Sequence, residues 1–238
     1  MLFPYGDIPT AAIVTTSGGL VAGDRIDVRV SLGLGAAAHV TASAAEKIYR
    51  STGAITVVEQ RLDVEEAGRL EFLPPETILF DGTRLRRTTA VRLAEDARFL
   101  GGGIIVFGRR ARGEAFTRGL LRDVWEVRRE GRLVWGDALH VDGDVALVMN
   151  DPACLDGAAA CATLILAAPG AASLVDGARE VQGRSGVRGG VTLVNGLLVA
   201  RWLGPDALAL RRAYADLACH LRAAAMNLPP RLPALWHV

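Results

Sequence analysis

The chain has 238 residues, of which 50% are hydrophobic, with 27 Lys plus Arg against 26 Asp plus Glu. A net charge of +1 lacks the basic excess of a nucleic-acid binder. No apolar run approaches the roughly 18 residues of a membrane-spanning helix; the longest candidate, Ala158 to Ala168, is short and alanine-rich.

Met1-Leu2-Phe3-Pro4-Tyr5 shows no basic region followed by a long apolar stretch, so no signal peptide is expected. The three cysteines, Cys154, Cys161 and Cys219, are odd in number and form no CxxC pair. Reduced thiols in a cytoplasmic protein are the expectation. Near-neutral charge with a mean hydropathy of +0.26 suggests apolar surface left for a partner.

Residues 10 to 145 read as short strands. Val28-Arg29-Val30-Ser31-Leu32 alternates apolar and polar residues, the period of a half-buried strand. Gly33-Leu34-Gly35 turns the chain and His39-Val40-Thr41-Ala42 extends it again. The plan returns at Arg61–Val64 with Leu70–Leu73, at Ala90–Leu93 with Phe99–Leu100, and at Trp125–Arg128 with Leu133–Trp135. The turns centre near residues 34, 66, 95 and 130, a period of roughly 30 that suggests stacked supersecondary units. An ordinary antiparallel sandwich is the competing reading.

After residue 150 the texture changes. Ala162–Ala167 reads as a buried strand and Ala171–Val181 as a helix. Val191–Val194, Asn195-Gly196 and Leu197–Ala200 form a hairpin, because Asn-Gly supplies two positive φ angles. Pro205 suits the first turn of a helix whose apolar face is Leu210, Tyr214, Leu217 and Leu221. The predicted fold is mainly β, a coiled or layered, β-helix-like architecture over residues 1–150. A small α/β portion with two helices, βαββα in order, packs on it over residues 151–238. No Ser/Gly-rich linker separates them, so they form one continuous domain.

Four segments dense in Gly, Pro and charge interrupt the strands. Ser17-Gly18-Gly19-Leu20-Val21-Ala22-Gly23-Asp24 lacks the lysine of a phosphate loop and the GxGxxG spacing; Asp24 is expected to close its turn. Lys47, Tyr49 and Arg50 are either a solvated strand end with the tyrosine tucked in or a polar patch facing a partner or a wet channel. Glu76 and Asp81 are five residues apart and admit two readings: an acid–base pair of a carbohydrate-active hydrolase on a coiled β-fold, or an internal ion-pair set with Arg84. The histidines (His39, His140, His220 and His237) show no metal-ligand spacing, and Cys219 and His220 point about 100° apart on a helix. No GxSxG elbow is present.

Taken in order, the four segments resemble the urease accessory protein UreD family, and the match covers most of the chain. The residues that carry it are Gly18, Gly19, Gly23 and Asp24; Lys47, Tyr49 and Arg50; Glu71, Glu76, Thr77, Asp81 and Gly82; and Phe107, Gly108, Arg109, Gly113 and Glu114. Thr15-Thr16-Ser17 stands where many relatives have His-Pro-Pro. Relatives usually carry one or two strands ahead of Leu2-Phe3-Pro4, so either the start lies upstream or the first β layer is incomplete with an exposed edge.

The resemblance implies a non-enzymatic chaperone in the cytoplasm. Its partners would be the urease structural subunits, a UreF-type helical accessory protein and a UreG-type GTPase, with no nucleic acid and no membrane. It also implies nickel in transit along a wet path, with no tightly bound cofactor. Oxygen and nitrogen ligands that bind weakly suit such a path, and Glu46, Glu76, Asp81 and Glu114 are the candidates to line it. A purely structural repeat protein is the remaining reading.

Overall fold

The computed structural model of the chain describes residues 2, 3 and 5–237, without the side chain of His237. After β1 (Thr10–Ile13) the chain winds in coils. β2 (Arg25–Leu32) turns into β3 (Ala37–Ala42) and the short β4 (Glu46–Ile48). β5 (Thr56–Val64) turns into β6 (Arg69–Phe72) and β7 (Thr77–Leu79). β8 (Arg84–Leu93) turns into β9 (Arg98–Phe107), which is long enough to pair with β6 and then β7.

Each coil lies parallel on the one before it. Asp27 faces Glu59 and Glu59 faces Thr88 in one sheet; His39 faces Glu71 and Glu71 faces Leu100 in the other. Because side chains alternate, a fixed register keeps the same phase inward on every coil. In β8, Leu85, Val91 and Leu93 are buried while Arg86, Thr88 and Arg92 are exposed. The corners stack too: Gly35 donates its N–H to the Glu66 carbonyl (2.8 Å), and Arg98 to that of Gly68 (2.9 Å). The polar backbone of each turn is thereby satisfied by the next coil. Parallel pairing replaces the antiparallel sandwich that the sequence also allowed.

The expected fourth repeat is not a coil. β10 (Gly119–Arg129) runs parallel to β8, but Glu130 and Gly131 both have positive φ (48° and 74°), and Arg129 faces Arg132 across them. Two positive φ angles make a tight hairpin. β11 (Arg132–Gly143) therefore folds back antiparallel on β10 and ends that sheet. The Arg129 guanidinium covers the carbonyls of Ala94, Glu95 and Ala97 on the corner below.

Helix α1 (Val145–Asn150), capped by Asp144, follows the β coils. β12 (Ala160–Ala167) then pairs antiparallel with β9, so the same sheet continues into the C-terminal residues. The helix expected at 171–181 begins as a 3-10 turn and becomes α2 (Val175–Arg184). β13 (Gly189–Val194) and β14 (Leu197–Gly204) form the expected hairpin, with Asn195 and Gly196 at φ 47° and 83°. α3 (Ala207–Met226) starts two residues beyond Pro205. Asp206 is its cap, accepting from the Leu208 and Ala209 N–H groups (2.8 and 3.1 Å), and Pro205 lies outside the first turn.

The result is two sheets, ordered β1-β3-β6-β9-β12-β14-β13 and β11-β10-β8-β5-β2, with the β4–β7 pair joined to the first through β9. Leu210, Tyr214, Leu217 and Leu221 are fully buried, and α3 lays them on β9, β12 and β14. Each such leucine contributes roughly 1.5–3 kcal/mol. The helix comes this close because β9 has Gly102 on that face: a Cβ there would lie 2.0 Å from the Thr163 carbonyl oxygen and 2.9 Å from the Tyr214 hydroxyl.

Gly102→Ala is therefore expected to destabilise the fold by about 1–3 kcal/mol, read as a lower Tm. Gly190→Ala, which has open space around it and an ordinary φ, is expected to leave Tm unchanged.

Candidate functional site

The four sequence segments meet at one edge of the coils. Leu20 bridges to Ile48, Ile48 pairs with Leu79, and Leu79 pairs with Phe107, so each segment is the same corner on a successive layer. All four side chains are buried in one apolar cluster. The backbone follows: Leu20 N–H donates to Lys47 (2.8 Å), Tyr49 to Leu20 (2.9 Å), Phe80 to Ile48 (3.0 Å) and Gly108 to Leu79 (2.8 Å).

Glycine is required where these layers touch. A Cβ on Gly19 would sit 2.5 Å from the Lys47 carbonyl oxygen, and one on Gly108, at φ 84°, would sit 2.5 Å from that of Glu114. Tyr49 donates its hydroxyl to the Gly18 carbonyl (2.8 Å) and sets its ring edge-on to Phe80, 4.8 Å away. The Arg109 guanidinium lies over the Phe80 ring, 4.0 Å from its centroid, and pairs with Glu114 at 2.5 Å. The second oxygen of Glu114 accepts the Asp81 N–H (3.0 Å). Asp81 in turn accepts from the Thr117 N–H and hydroxyl (2.8 and 2.9 Å) and the Arg118 N–H (3.1 Å), with the Arg118 and Arg50 guanidinia at 3.2 and 3.9 Å. Lys47 and Arg50 are exposed and Tyr49 half-buried, an arrangement that fits a solvated strand end and a partner-facing polar patch alike. Gly82 turns the chain at φ 82°, under the Arg50 side chain, and Gly113 ends a short 3-10 turn at φ 72°. Asp24 closes the Gly23 turn by accepting the Val21 N–H at 2.8 Å.

Burial pushes the Asp81 carboxyl up, but the Thr117 and Arg118 hydrogen bonds outweigh it and hold it below the usual aspartate value. The Arg109 hydrogen bond holds Glu114 low.

A second polar feature crosses the interior between the sheets. Arg87 and Asp123 occupy inward phases of β8 and β10, between Leu85 and Leu121 on one side and Val91 and Trp125 on the other. They form a bidentate pair at 2.8 Å for both contacts, and Arg87 also donates to the Thr77 hydroxyl (2.7 Å). This polar waist divides the inter-sheet core into two apolar clusters. Burial pushes the neighbouring Cys161 thiol up to about 12, so it stays protonated and inert.

A cavity of about 660 Å³ opens onto the waist between the β1 and β2 edges, and its wall includes Thr15, Gln60, Thr77, Arg87 and Glu46. Glu46 is held by the Thr15 hydroxyl alone (2.8 Å) and forms no ion pair among the described residues. Burial raises its carboxyl above the usual glutamate value.

The other candidate carboxylates are elsewhere and neutralised. Glu76 pairs with Arg211 of α3 (3.1 Å), whose guanidinium also holds the Trp236 carbonyl (2.6 Å). Glu71 is fully buried between His39 Nδ1 (3.0 Å) and Arg222 Nε (2.8 Å). Arg222 also reaches Asp7 (2.9 Å) and the carbonyls of Pro229 and Arg231, tying both ends of the chain to the coils. Glu76, Asp81 and Arg84 are not one ion-pair set: the two carboxylates have separate arginines, and Arg84 pairs with neither. Nor do Glu76 and Asp81 face one another as an acid–base pair. Five residues through β7 put roughly 15 Å of extended chain between them, beyond the spacing of glycosidase carboxylates. Of the candidate path residues, Asp81 and Glu114 sit together at the corner, and Glu46 donates its N–H to the Glu76 carbonyl (2.8 Å), but only Glu46 lines the cavity.

No group of three or more His, Cys, Asp and Glu among the described residues is placed to hold a metal ion; the His237 side chain lies outside them. No helix among them is long and apolar enough to cross a membrane. Arg87, Asp123 and Arg211 were not singled out from sequence, and Thr15 only as part of a departure from relatives. For Arg87 and Asp123 the signal was there: both break the apolar phase of an alternating strand, at Leu85-x-Arg87-x-Thr89-x-Val91 and Leu121-x-Asp123-x-Trp125.

The profile of the UreD urease accessory protein family matches residues 1–237. A urease accessory protein UreD from Magnetococcus marinus is 47% identical over 99% of this chain and 83% of its own length. One from Methylobacterium sp. is 43% identical over 94% of this chain and 79% of its own. One from Granulibacter bethesdensis is 42% identical over 99% of both.

Two pH experiments follow from the carboxyls. The raised Glu46 favours its neutral form in the folded state, so its contribution is fully present below 4.5 and is lost as pH rises through the folded value. Glu46→Gln should raise Tm at pH 7, with the gain vanishing near pH 4. Asp81, held below 3.8, acts oppositely: its contribution is present above that value and lost as pH falls through the folded one. Asp81→Ala should cost about 2–4 kcal/mol at pH 7, with the deficit to wild type narrowing below pH 3.8.

Proposed function

The chain belongs to the UreD urease accessory protein family, and from that premise we propose that it acts in urease maturation as a cytoplasmic, non-catalytic scaffold. It engages apo-urease together with a UreF-type helical protein and a UreG-type GTPase, and nickel passes through it on the way to the urease active site.

The observation that supports the transit reading is the cavity at the polar waist. Glu46 is the one candidate carboxylate there without a guanidinium partner, and Thr15 and Thr77 add neutral oxygens beside it. One carboxylate and hydroxyls bind nickel(II) weakly, and a cargo ion must leave as readily as it enters. The Arg87–Asp123 pair keeps this stretch polar and shaped without adding a free anionic ligand. Nickel here is cargo, so a closed ligand set would defeat the purpose. The motif corner serves as the rigid outer frame, since every charged group in it except Lys47 is committed to an internal contact; even the exposed Arg50 donates to the Asp81 carbonyl at 3.3 Å.

Urease activity in cells carrying the structural subunits and the other accessory genes tests this reading. Activity is expected to require this chain. Glu46→Ala is expected to lower activation about ten-fold or more, while co-purification with urease stays intact. Activity without the chain, or full activation by Glu46→Ala, would contradict the reading.

A further inference from the structure

Helices α2 and α3 pack on the sheet that contains β9, β12 and β14. The outward face of the other sheet carries one row that crosses all five strands and holds three arginines and a histidine, with Val57 on β5 between Arg25 and Arg86. Arg25 faces Val57, Val57 faces Arg86, Arg86 faces Arg122 and Arg122 faces His140. Arg25, Arg86, Arg122 and His140 are all exposed. Arg86 and Arg122 stand directly opposite each other on neighbouring strands and form no ion pair or side-chain hydrogen bond among the described residues. Arg25 reaches Glu59 only at 3.7 Å and leaves 73% of its side chain open.

The neighbouring rows are built differently. Arg61 pairs with Glu59 (2.8 Å) and Asp27 (3.8 Å), Arg29 with Asp27 (3.1 Å), and Arg92 with Asp63 (3.6 Å). The sheet therefore balances its charges along most of its length and leaves one row unbalanced. Like charges directly opposite across strands oppose folding, which gives this row a cost that a partner would relieve.

We propose that the row docks a protein partner through an acidic helical stripe laid across the strands. Adjacent strands are about 4.8 Å apart, and carboxylates at i, i+3 and i+4 of a helix are about 5–6 Å apart, so one acidic stripe meets successive cations. The row spans four strand intervals, about 19 Å, or about 13 residues of helix. A uniformly charged polyanion fits less well, because Asp27 and Glu59 flank the row and would repel it. This docking face is independent of the maturation role.

The test uses the full chain at low ionic strength with three labelled probes: an alanine-rich helical peptide with glutamates at i, i+4, i+7 and i+11, a scrambled peptide of the same composition, and a single-stranded DNA oligonucleotide. The striped peptide should bind best and release with added salt. Arg122→Glu sets a carboxylate opposite Arg86, so it should weaken peptide binding about ten-fold or more while Tm holds or rises. Arg86→Glu should do the same. The proposal is overturned if the striped peptide fails to bind, if the scrambled peptide or the oligonucleotide binds as tightly, if the variants bind like wild type, or if their Tm falls.

Discussion

Parallel, in-register stacking of the coils is the constraint on which the rest of this structure depends. Once β5 is laid on β2 and β8 on β5, every position inherits the environment of the one about 30 residues earlier. Leu20, Ile48, Leu79 and Phe107 become one buried column. Four segments that look unrelated along the chain are then layers of a single corner. Their glycines, aromatic rings and charges meet because the register brings them together.

The same register explains why buried charge is tolerated. A guanidinium on an inward phase is largely withdrawn from water, and burial of an ion is costly unless it is paired and its remaining donors are satisfied. Arg87 meets both conditions through Asp123 and Thr77. Arg222 is paired through Glu71 and Asp7 and reaches two carbonyls, while its Nη2 stays buried without a partner among the described residues. The two networks differ in what surrounds them. Arg222 closes a seam between α3, the coils and both chain ends. Arg87 instead borders a cavity whose one loosely held carboxyl, Glu46, keeps a raised proton affinity. A polar interior that is rigid on one side and loosely held on the other suits a passage better than a binding site.

Much of the fold was legible from local pattern. Alternation gave the strands, the corners near 34, 66 and 95 fell in place, and Asn195-Gly196 marked its hairpin. The corner near 130 misled because Glu130-Gly131 resembles the earlier polar turns in composition. Only its two positive φ angles turn the chain back within the same sheet. The site was less legible. Its motif residues could be named, but Glu76 and Asp81 are close in sequence and separate in space, since β7 between them is extended. The partners of Glu46, Glu71 and Glu76 lie far along the chain at Thr15, Arg222 and Arg211. Contacts of that range follow from the stacking and from the docking of α3, neither of which a local pattern encodes.

The central claim is that the motif segments act as one physical unit, and a double-mutant cycle on Tyr49 and Arg109 tests it most directly. The two residues come from different layers and both pack on Phe80, at 4.8 and 4.0 Å. Unfolding free energies of Tyr49→Ala, Arg109→Ala and the double variant should show a coupling of about 0.5–3 kcal/mol. Effects that add to within about 0.3 kcal/mol would contradict the account and mean that the layers of this corner do not sense one another.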